Sequence, residues 1–200
     1  MWLAQWLLDN NPAKPKVEEK PAVIFALGAP GSGMNTECSK IQSDYGFTHL
    51  APEALLQAET ESDSDLGKQI KDLMLHGLPV PATTMVAILS NAIAASEGKK
   101  FVISNFPYAE EQAILFEKSV VPPTMVFQFD VSDATMMKNG RLSDANIANY
   151  KALAKPMVTK YTRSGQLTKI NGDAMVDAVH DDVCTCLAAH FTPITTTPAQ

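Results

Sequence analysis

The sequence predicts a three-layer α/β fold in which helices cover both faces of a central parallel sheet. Short apolar runs alternate with longer helical stretches along the chain, as in folds whose parallel strands are joined by helical crossovers. The first run, residues 22–27, is apolar at every position, which is typical of a strand buried on both faces. A glycine-rich turn and then a helix follow it, and this order favours an open, doubly wound sheet.

The other elements follow from the same patterns. Three further strands are predicted where short apolar runs recur, at residues 101–103, 124–129 and 167–170. Helices are predicted where apolar residues recur every three or four positions. They span residues 36–45, 51–60, 65–76, 83–96, 110–118, 144–163 and 176–189.

The predicted domain occupies residues 22–191, and two segments flank it. Residues 1–21 combine a short apolar helix with a Pro-rich, charged linker, and residues 192–200 have the composition of a frayed tail. Trp2 and Trp6 stand four residues apart, along one side of that helix. A helix this short is marginal alone, so it either packs on its own domain or anchors a protein partner. Both alternatives stay open.

Composition argues against several classes of function. The chain has 200 residues, of which 46% are hydrophobic and 19% charged, as in a soluble globular domain. Its net charge of −6 argues against a nucleic-acid or anionic-membrane partner, since both attract basic surfaces. Its three cysteines show no metal-ligand spacing, so we expect no metal site and a reduced, cytoplasmic location.

The turn after the first strand carries a phosphate-loop pattern. Residues 28–36 have the sequence GAPGSGMNT, and in such loops glycines let backbone N–H groups surround a phosphate at a helix N-terminus. The pattern also requires a lysine that reaches the β- and γ-phosphates, and Met34 occupies that position. The residues expected to retain the loop's geometry or its approach to magnesium are Gly28, Gly31, Ser32, Gly33 and Thr36.

Over residues 22–191, which include this loop, the chain resembles the adenylate kinase and UMP/CMP kinase family. The loop is similar to that family's GxPGSGKGT, and residues 77–81 (GLPVP) resemble its G-x-x-V-P turn. Residues 101–108 (FVISNFPY) resemble its F-L-I-D-G-F-P-R strand end. The resemblance implies a P-loop NTPase fold of the nucleoside monophosphate kinase type. It also places Val80 and Gln112 at the positions that contact the acceptor base.

The resemblance fails at positions that carry charge in that family. Gln57, Tyr108 and Tyr150 stand where the family has arginines, and the lid is shortened to residues 139–144, in which only Arg141 matches a family cation. Phosphoryl transfer depends on positioning and electrostatic stabilisation, and removing one such contact typically costs about 10²–10³ in rate. We therefore assign no catalytic residue and expect no bound cofactor.

Three interpretations follow. The first is a catalytically impaired structural or assembly subunit anchored through Trp2 and Trp6. Relatives of the resembled family recur in flagellar and ciliary axonemes, so the resemblance implies an axonemal placement. The second is a regulatory module that binds a nucleotide, through Thr36, Gln112 and the loop glycines, without turning it over. The third is a weak nucleoside monophosphate kinase that uses ATP and magnesium, with its lysine supplied by Lys40 or Lys138.

Overall fold

In the part of the chain that the structure describes, five parallel strands form the sheet. They are β1 (Ala22–Gly28), β2 (Thr48–Leu50), β3 (Lys100–Ser104), β4 (Met125–Asp130) and β5 (Leu167–Asn171). The computed structural model describes residues 20–194, and in it the strands lie in the order β2-β3-β1-β4-β5. β1 is therefore the central strand, in agreement with its uninterrupted apolar sequence, because a strand covered on both faces buries every side chain.

Eight helices connect and cover these strands within residues 20–194. They are α1 (Met34–Tyr45), α2 (Pro52–Glu61), α3 (Asp65–Leu75), α4 (Ala82–Ala95), α5 (Glu110–Ser119), α6 (Asp133–Lys138), α7 (Asp144–Arg163) and α8 (Val176–Ala188). The predicted three-layer α/β fold is confirmed, and the predicted ends of its elements lie within two residues of the observed ones. β2 and α6 are additional elements that the sequence patterns do not predict.

Two apolar cores lie on opposite faces of the sheet, because successive side chains of a strand alternate between its faces. On one face Phe25 of β1 meets the rings of Phe106, Phe116 and Tyr161 edge to face, with centroids 5.3–6.0 Å apart. Ile24 points to the other core, which α1 and α8 cover. From Val23 onward, both faces of β1 are thus buried.

Charged side chains also join α1 to α8. The buried carboxylate of Glu37 lies 2.9 Å from His180 Nδ1 and 2.9 Å from Lys40 Nζ. The other ring nitrogen of His180 lies 3.0 Å from an Asp44 carboxylate oxygen. A buried carboxylate is costly unless it is paired and hydrogen-bonded. Here the Lys40 ammonium and the His180 ring are the partners of the Glu37 carboxylate.

The predicted N-terminal helix with Trp2 and Trp6, the linker before residue 20 and residues 195–200 lie outside the described residues. Within the predicted tail, the N–H of Ile194 donates to the carbonyl of Asp44 at 2.7 Å, so packing of the domain continues to residue 194. Among the described helices, none has the length and apolar character to span a membrane.

Candidate functional site

The loop between β1 and α1 adopts the turns that its glycines permit. Gly31 and Gly33 have φ angles of 84° and 78°, in the left-handed region that other residues rarely adopt. The loop surrounds a cavity of about 320 Å³, lined by residues 28–36 and Asn105. All five phosphate-loop residues expected from the sequence line this cavity, at the carboxyl end of the central strand, where ligands bind in open α/β sheets.

Among residues 20–194, no lysine or arginine lines the phosphate-loop cavity. Met34, at the position of the missing lysine, is only 6% exposed and packs into the core between the sheet, α1 and α8. Lys40 pairs with the buried Glu37 instead, and Lys138 is exposed on α6. Arg141 is exposed, with a φ of 55°. None of these three cations thus lines the phosphate-loop cavity in this structure.

The cavity does retain hydrogen-bond donors. No side chain caps the N-terminus of α1, so the N–H groups of its first turn are available to a ligand. Ser32 is 4% exposed, and its hydroxyl has no partner among the described residues. A buried hydroxyl without a partner costs about 1–3 kcal/mol. This oxygen is inaccessible to solvent and lies against Gly28, so the backbone N–H groups are the donors that the cavity offers.

Two backbone segments cover the phosphate loop. Residues 139–143 connect α6 to α7, and they rest directly on it: a Cβ on Gly31 would lie 2.3 Å from the Gly140 nitrogen. After β5, Gly172 approaches the loop from the other side, where its Cβ would lie 3.3 Å from the Ser32 carbonyl oxygen. The connection between α6 and α7 is therefore packed on the phosphate loop and does not form an extended arm.

An apolar cavity of about 200 Å³ adjoins the phosphate-loop cavity and shares Gly28, Pro30 and Asn105 with it. The side chains that make it apolar are mainly those of Leu27, Pro107, Tyr108, Tyr150, Leu153 and Met157. Two of them, Tyr108 and Tyr150, stand where the resemblance places arginines. Phenol rings and aliphatic groups thus fill the side of the loop where phosphate-binding cations were expected.

Both of these phenols are held neutral. Burial raises the pKa of Tyr108, and its hydroxyl also donates to the carboxylate of Glu53 on α2, which raises that pKa further. The Asn105 amide donates to the same carboxylate at 2.9 Å. Burial raises the pKa of Tyr150 to about 12, and the negative charge of Asp130 adds to this effect. The apolar cavity therefore contains no ionised phenol at neutral pH.

The residues expected to contact an acceptor base line neither of these cavities. Gln112 is 7% exposed, and its side-chain oxygen accepts the backbone N–H of Tyr108 at 2.9 Å. Val80 is half-buried in the turn before α4, and neither residue lines the phosphate-loop cavity or the apolar cavity. In this structure Gln112 positions the loop that carries Tyr108.

No group of three or more His, Cys, Asp or Glu side chains in the described part of the chain is arranged to hold a metal ion.

Similarity to known proteins identifies the family. The family model described as adenylate kinase matches residues 26–177. The chain belongs to the adenylate kinase family. Adenylate kinase isoenzyme 1 of Oryctolagus cuniculus is 34% identical over 187 residues, which cover 86% of this chain and 96% of that protein. UMP-CMP kinase 3 of Arabidopsis thaliana is 35% identical over 178 residues, which cover 82% and 88%.

Membership of the adenylate kinase family agrees with the resemblance seen in the motifs and with the position of the phosphate loop. Sequence patterns missed the contact of Gly140 with Gly31 and the bond between Tyr108 and Glu53. These pairs are 109 and 55 residues apart, and no local motif marks either of them. The sequence does contain a signal that Tyr108 and Tyr150 are neighbours, because the resemblance places an arginine of the same site at both positions.

Proposed function

We propose that this adenylate kinase homologue is catalytically impaired and acts as a structural or assembly subunit. The observation that carries the proposal is that no lysine or arginine of residues 20–194 lines the phosphate-loop cavity. Phosphoryl transfer spreads negative charge over the transferred group, and cations offset that charge in the transition state. Met34 cannot do so, because its thioether is uncharged and buried in the core.

The expected loss of rate is large. Removing one electrostatic contact costs about 10²–10³ in rate, and an arginine at such a site contributes about 10³–10⁵. These factors do not simply multiply when groups act together. The loss of one such contact is nevertheless enough to bring a turnover of about 10 s⁻¹ below 1 s⁻¹. Here the lysine and the arginines at Tyr108 and Tyr150 are replaced together.

We expect the purified chain to convert ATP and AMP, CMP or UMP to diphosphates at well below about 1 s⁻¹, the low end for typical enzymes. Met34→Lys should remain at that level, because it restores one cation where the arginines are still missing. A coupled assay for diphosphate formation measures both. Met74→Lys is the matched control, since Met74 is 54% exposed and lines neither cavity.

Turnover above about 1 s⁻¹ by the natural chain would contradict the proposal. Strong activity in Met34→Lys alone would show that the lysine was the decisive loss and that the tyrosines were not. Calorimetric titration with ATP and magnesium addresses the regulatory alternative, which the uncapped N-terminus of α1 favours. Micromolar binding without turnover would replace the purely structural role by nucleotide-dependent regulation, with ATP and magnesium as its ligands.

The structural role that we propose uses Trp2 and Trp6 to anchor a protein partner in the cytoplasm, in the axoneme of a flagellum or cilium. Both tryptophans of the chain fall in residues 1–19, which lie outside the described residues and before the predicted domain. Tryptophan is among the residues that dominate binding energy at protein interfaces. The net charge of −6 argues against nucleic acid as the partner, and axonemal placement follows from the resemblance.

In a ciliated cell, we expect the fluorescently tagged full chain to label the axoneme and the Trp2→Ala/Trp6→Ala variant to spread through the cytoplasm. The domain should keep its thermal stability, which a melting curve of the purified variant checks. Leu75→Ala, at a residue that is 75% exposed on α3, serves as the surface control. Absence of the natural chain from the axoneme would refute the location. Retention of the double variant would refute the anchor.

A further inference from the structure

We infer that the apolar cavity beside the phosphate loop binds an organic cation that carries a methylated ammonium group. This inference goes beyond the proposed function. Tyr108 and Tyr150 line the cavity together with aliphatic side chains, and no lysine or arginine of residues 20–194 lines it. The resemblance places arginines at both tyrosines. In this chain the side of the loop that would suit an anion in that family has therefore become suited to a cation.

The two tyrosines offer ring faces to such a cation. The face of an aromatic ring carries partial negative charge and attracts an ammonium group that lies within about 6 Å of the ring centre. Tyr108 is 39% exposed and Tyr150 is half-buried, so both are accessible in part from the cavity that they line. The Tyr108 hydroxyl also donates a hydrogen bond to the Glu53 carboxylate, and this bond polarises the phenol toward a ring richer in electrons.

Glu53 adds a full negative charge beside the cavity. Its carboxylate accepts hydrogen bonds from Tyr108 and Asn105, and both of these residues line the cavity. Among residues 20–194, no lysine or arginine is paired with this carboxylate, so its charge is available to a bound cation. The N-terminus of α1 carries only about half a positive charge, and it opens into the phosphate-loop cavity.

Two lysines lie near the apolar cavity without lining it. Lys151 and Lys155 line a neighbouring cavity, of which Tyr150 is a shared wall. The ammonium group of Lys151 is paired with Asp133, and the carboxylate of Asp130 lines the same neighbouring cavity as Lys155. Two carboxylates thus balance the two lysines on that side. The unpaired glutamate on the other side then decides which sign of charge the apolar cavity favours.

The size and the lining of the cavity favour a methylated ammonium over a primary one. An engineered cavity of about 150 Å³ binds benzene, and a trimethylammonium group is of similar size, so the volume of about 200 Å³ has room for one. A primary ammonium needs hydrogen-bond acceptors, whereas this lining is mainly aliphatic and aromatic. Methyl groups on the ammonium can instead pack against Leu153 and Met157 and leave water.

Calorimetric titration of the full chain with choline tests the inference. We expect saturable binding with a Kd on the order of 1 mM or tighter, as for a fragment of this size. The alcohol 3,3-dimethylbutan-1-ol has the same shape without the charge and should bind at least about 10-fold more weakly. Ethanolamine, which has the charge without the methyl groups, should also be about 10-fold weaker. A short peptide with trimethyllysine separates the two sources of this group: tighter binding than choline identifies a methylated protein side chain, and weaker binding identifies a free small molecule.

Two pairs of variants assign the parts of the site. Tyr150→Leu should weaken binding of choline by about 3- to 10-fold, because it removes one ring face, whereas Tyr150→Phe keeps the ring and should bind as the natural chain does. Glu53→Gln should weaken binding of choline by about 3- to 10-fold through loss of its charge and leave the neutral alcohol unaffected. Glu61→Gln is the matched control, since Glu61 is exposed at the other end of α2 and does not line the cavity.

Absence of saturable binding up to about 10 mM of both choline and the peptide would overturn the inference. Equal affinity for the neutral alcohol would also overturn it, because the cavity would then select apolar groups and not cations. Unchanged affinity in both Tyr150→Leu and Glu53→Gln would show that choline binds elsewhere. The turnover assay fails or succeeds independently of these titrations. An active kinase would contradict the proposed function, whereas an inactive chain that ignores both probes would contradict only the cation site.

Discussion

Replacing Phe25 with alanine is expected to lower the free energy of unfolding by about 3–5 kcal/mol. Phe25 is fully buried in the central strand, and its ring meets three other aromatic rings at centroid distances of 5.3, 5.3 and 6.0 Å. The truncation removes these contacts and leaves a cavity that packed neighbours on β3, α5 and α7 can fill only in part. For a domain of this size the melting temperature should fall by about 10 °C or more.

Equilibrium unfolding in urea measures this effect, and Ile114→Ala provides the control. Ile114 lies on α5 and is 54% exposed, so its truncation should change the free energy of unfolding by about 0.5 kcal/mol or less. Phe25→Leu should recover part of the loss, because it keeps most of the apolar volume. Similar values for Phe25→Ala and Ile114→Ala would show that the aromatic cluster does not stabilise the sheet.

Gly31→Ala is expected to destabilise the domain by about 3 kcal/mol. Two costs combine at this residue. Its φ of 84° is a left-handed conformation that costs a residue with a Cβ about 1–2 kcal/mol. The new Cβ would also lie 2.3 Å from the Gly140 nitrogen and 2.7 Å from the Asn139 carbonyl carbon, so the backbone of the connection must move.

Gly33→Ala separates the two costs. Gly33 has a similar φ of 78°, but a Cβ added there would meet no atom within 4 Å, so only the conformational cost of about 1–2 kcal/mol remains. Melting curves compare the two variants, and limited trypsin digestion reports on the connection, because Lys138 immediately precedes it and Arg141 lies within it. Faster cleavage there in Gly31→Ala alone is the expected result. Equal stability and equal cleavage would mean that the connection does not rest on the loop.

Much of the fold could be predicted because its strands carry strong local signals. β1 is apolar along its whole length, and both ends of α7 match the prediction, with Ser143 capping its first turn. β2 has only three residues, too few for a periodic pattern. α6 begins where Ser132 donates hydrogen bonds to the carboxylate of Asp173 in the loop after β5, and such a long-range contact leaves no trace in the local sequence.

The candidate site could be predicted less completely, for a similar reason. Glycines that must adopt left-handed turns are visible in the sequence, so the phosphate loop was identified residue by residue. Gln112 was expected to be available to a base, but its oxygen is taken by the N–H of Tyr108. Which donor bonds to which acceptor depends on packing across the sheet and cannot be read from local sequence. The roles of Val80, Gln112 and Arg141 toward a nucleotide stay predictions.

The position of β1 at the centre of a wholly parallel sheet has a consequence during synthesis on the ribosome. Ala22 pairs with Lys100 and Ile24 pairs with Met125, so both partners of the central strand are made long after it. At about 5–20 residues per second, β4 emerges roughly 5–20 s later than β1. The most apolar strand of the domain is therefore translated first and covered late, which makes it the segment most in need of a chaperone before folding is complete.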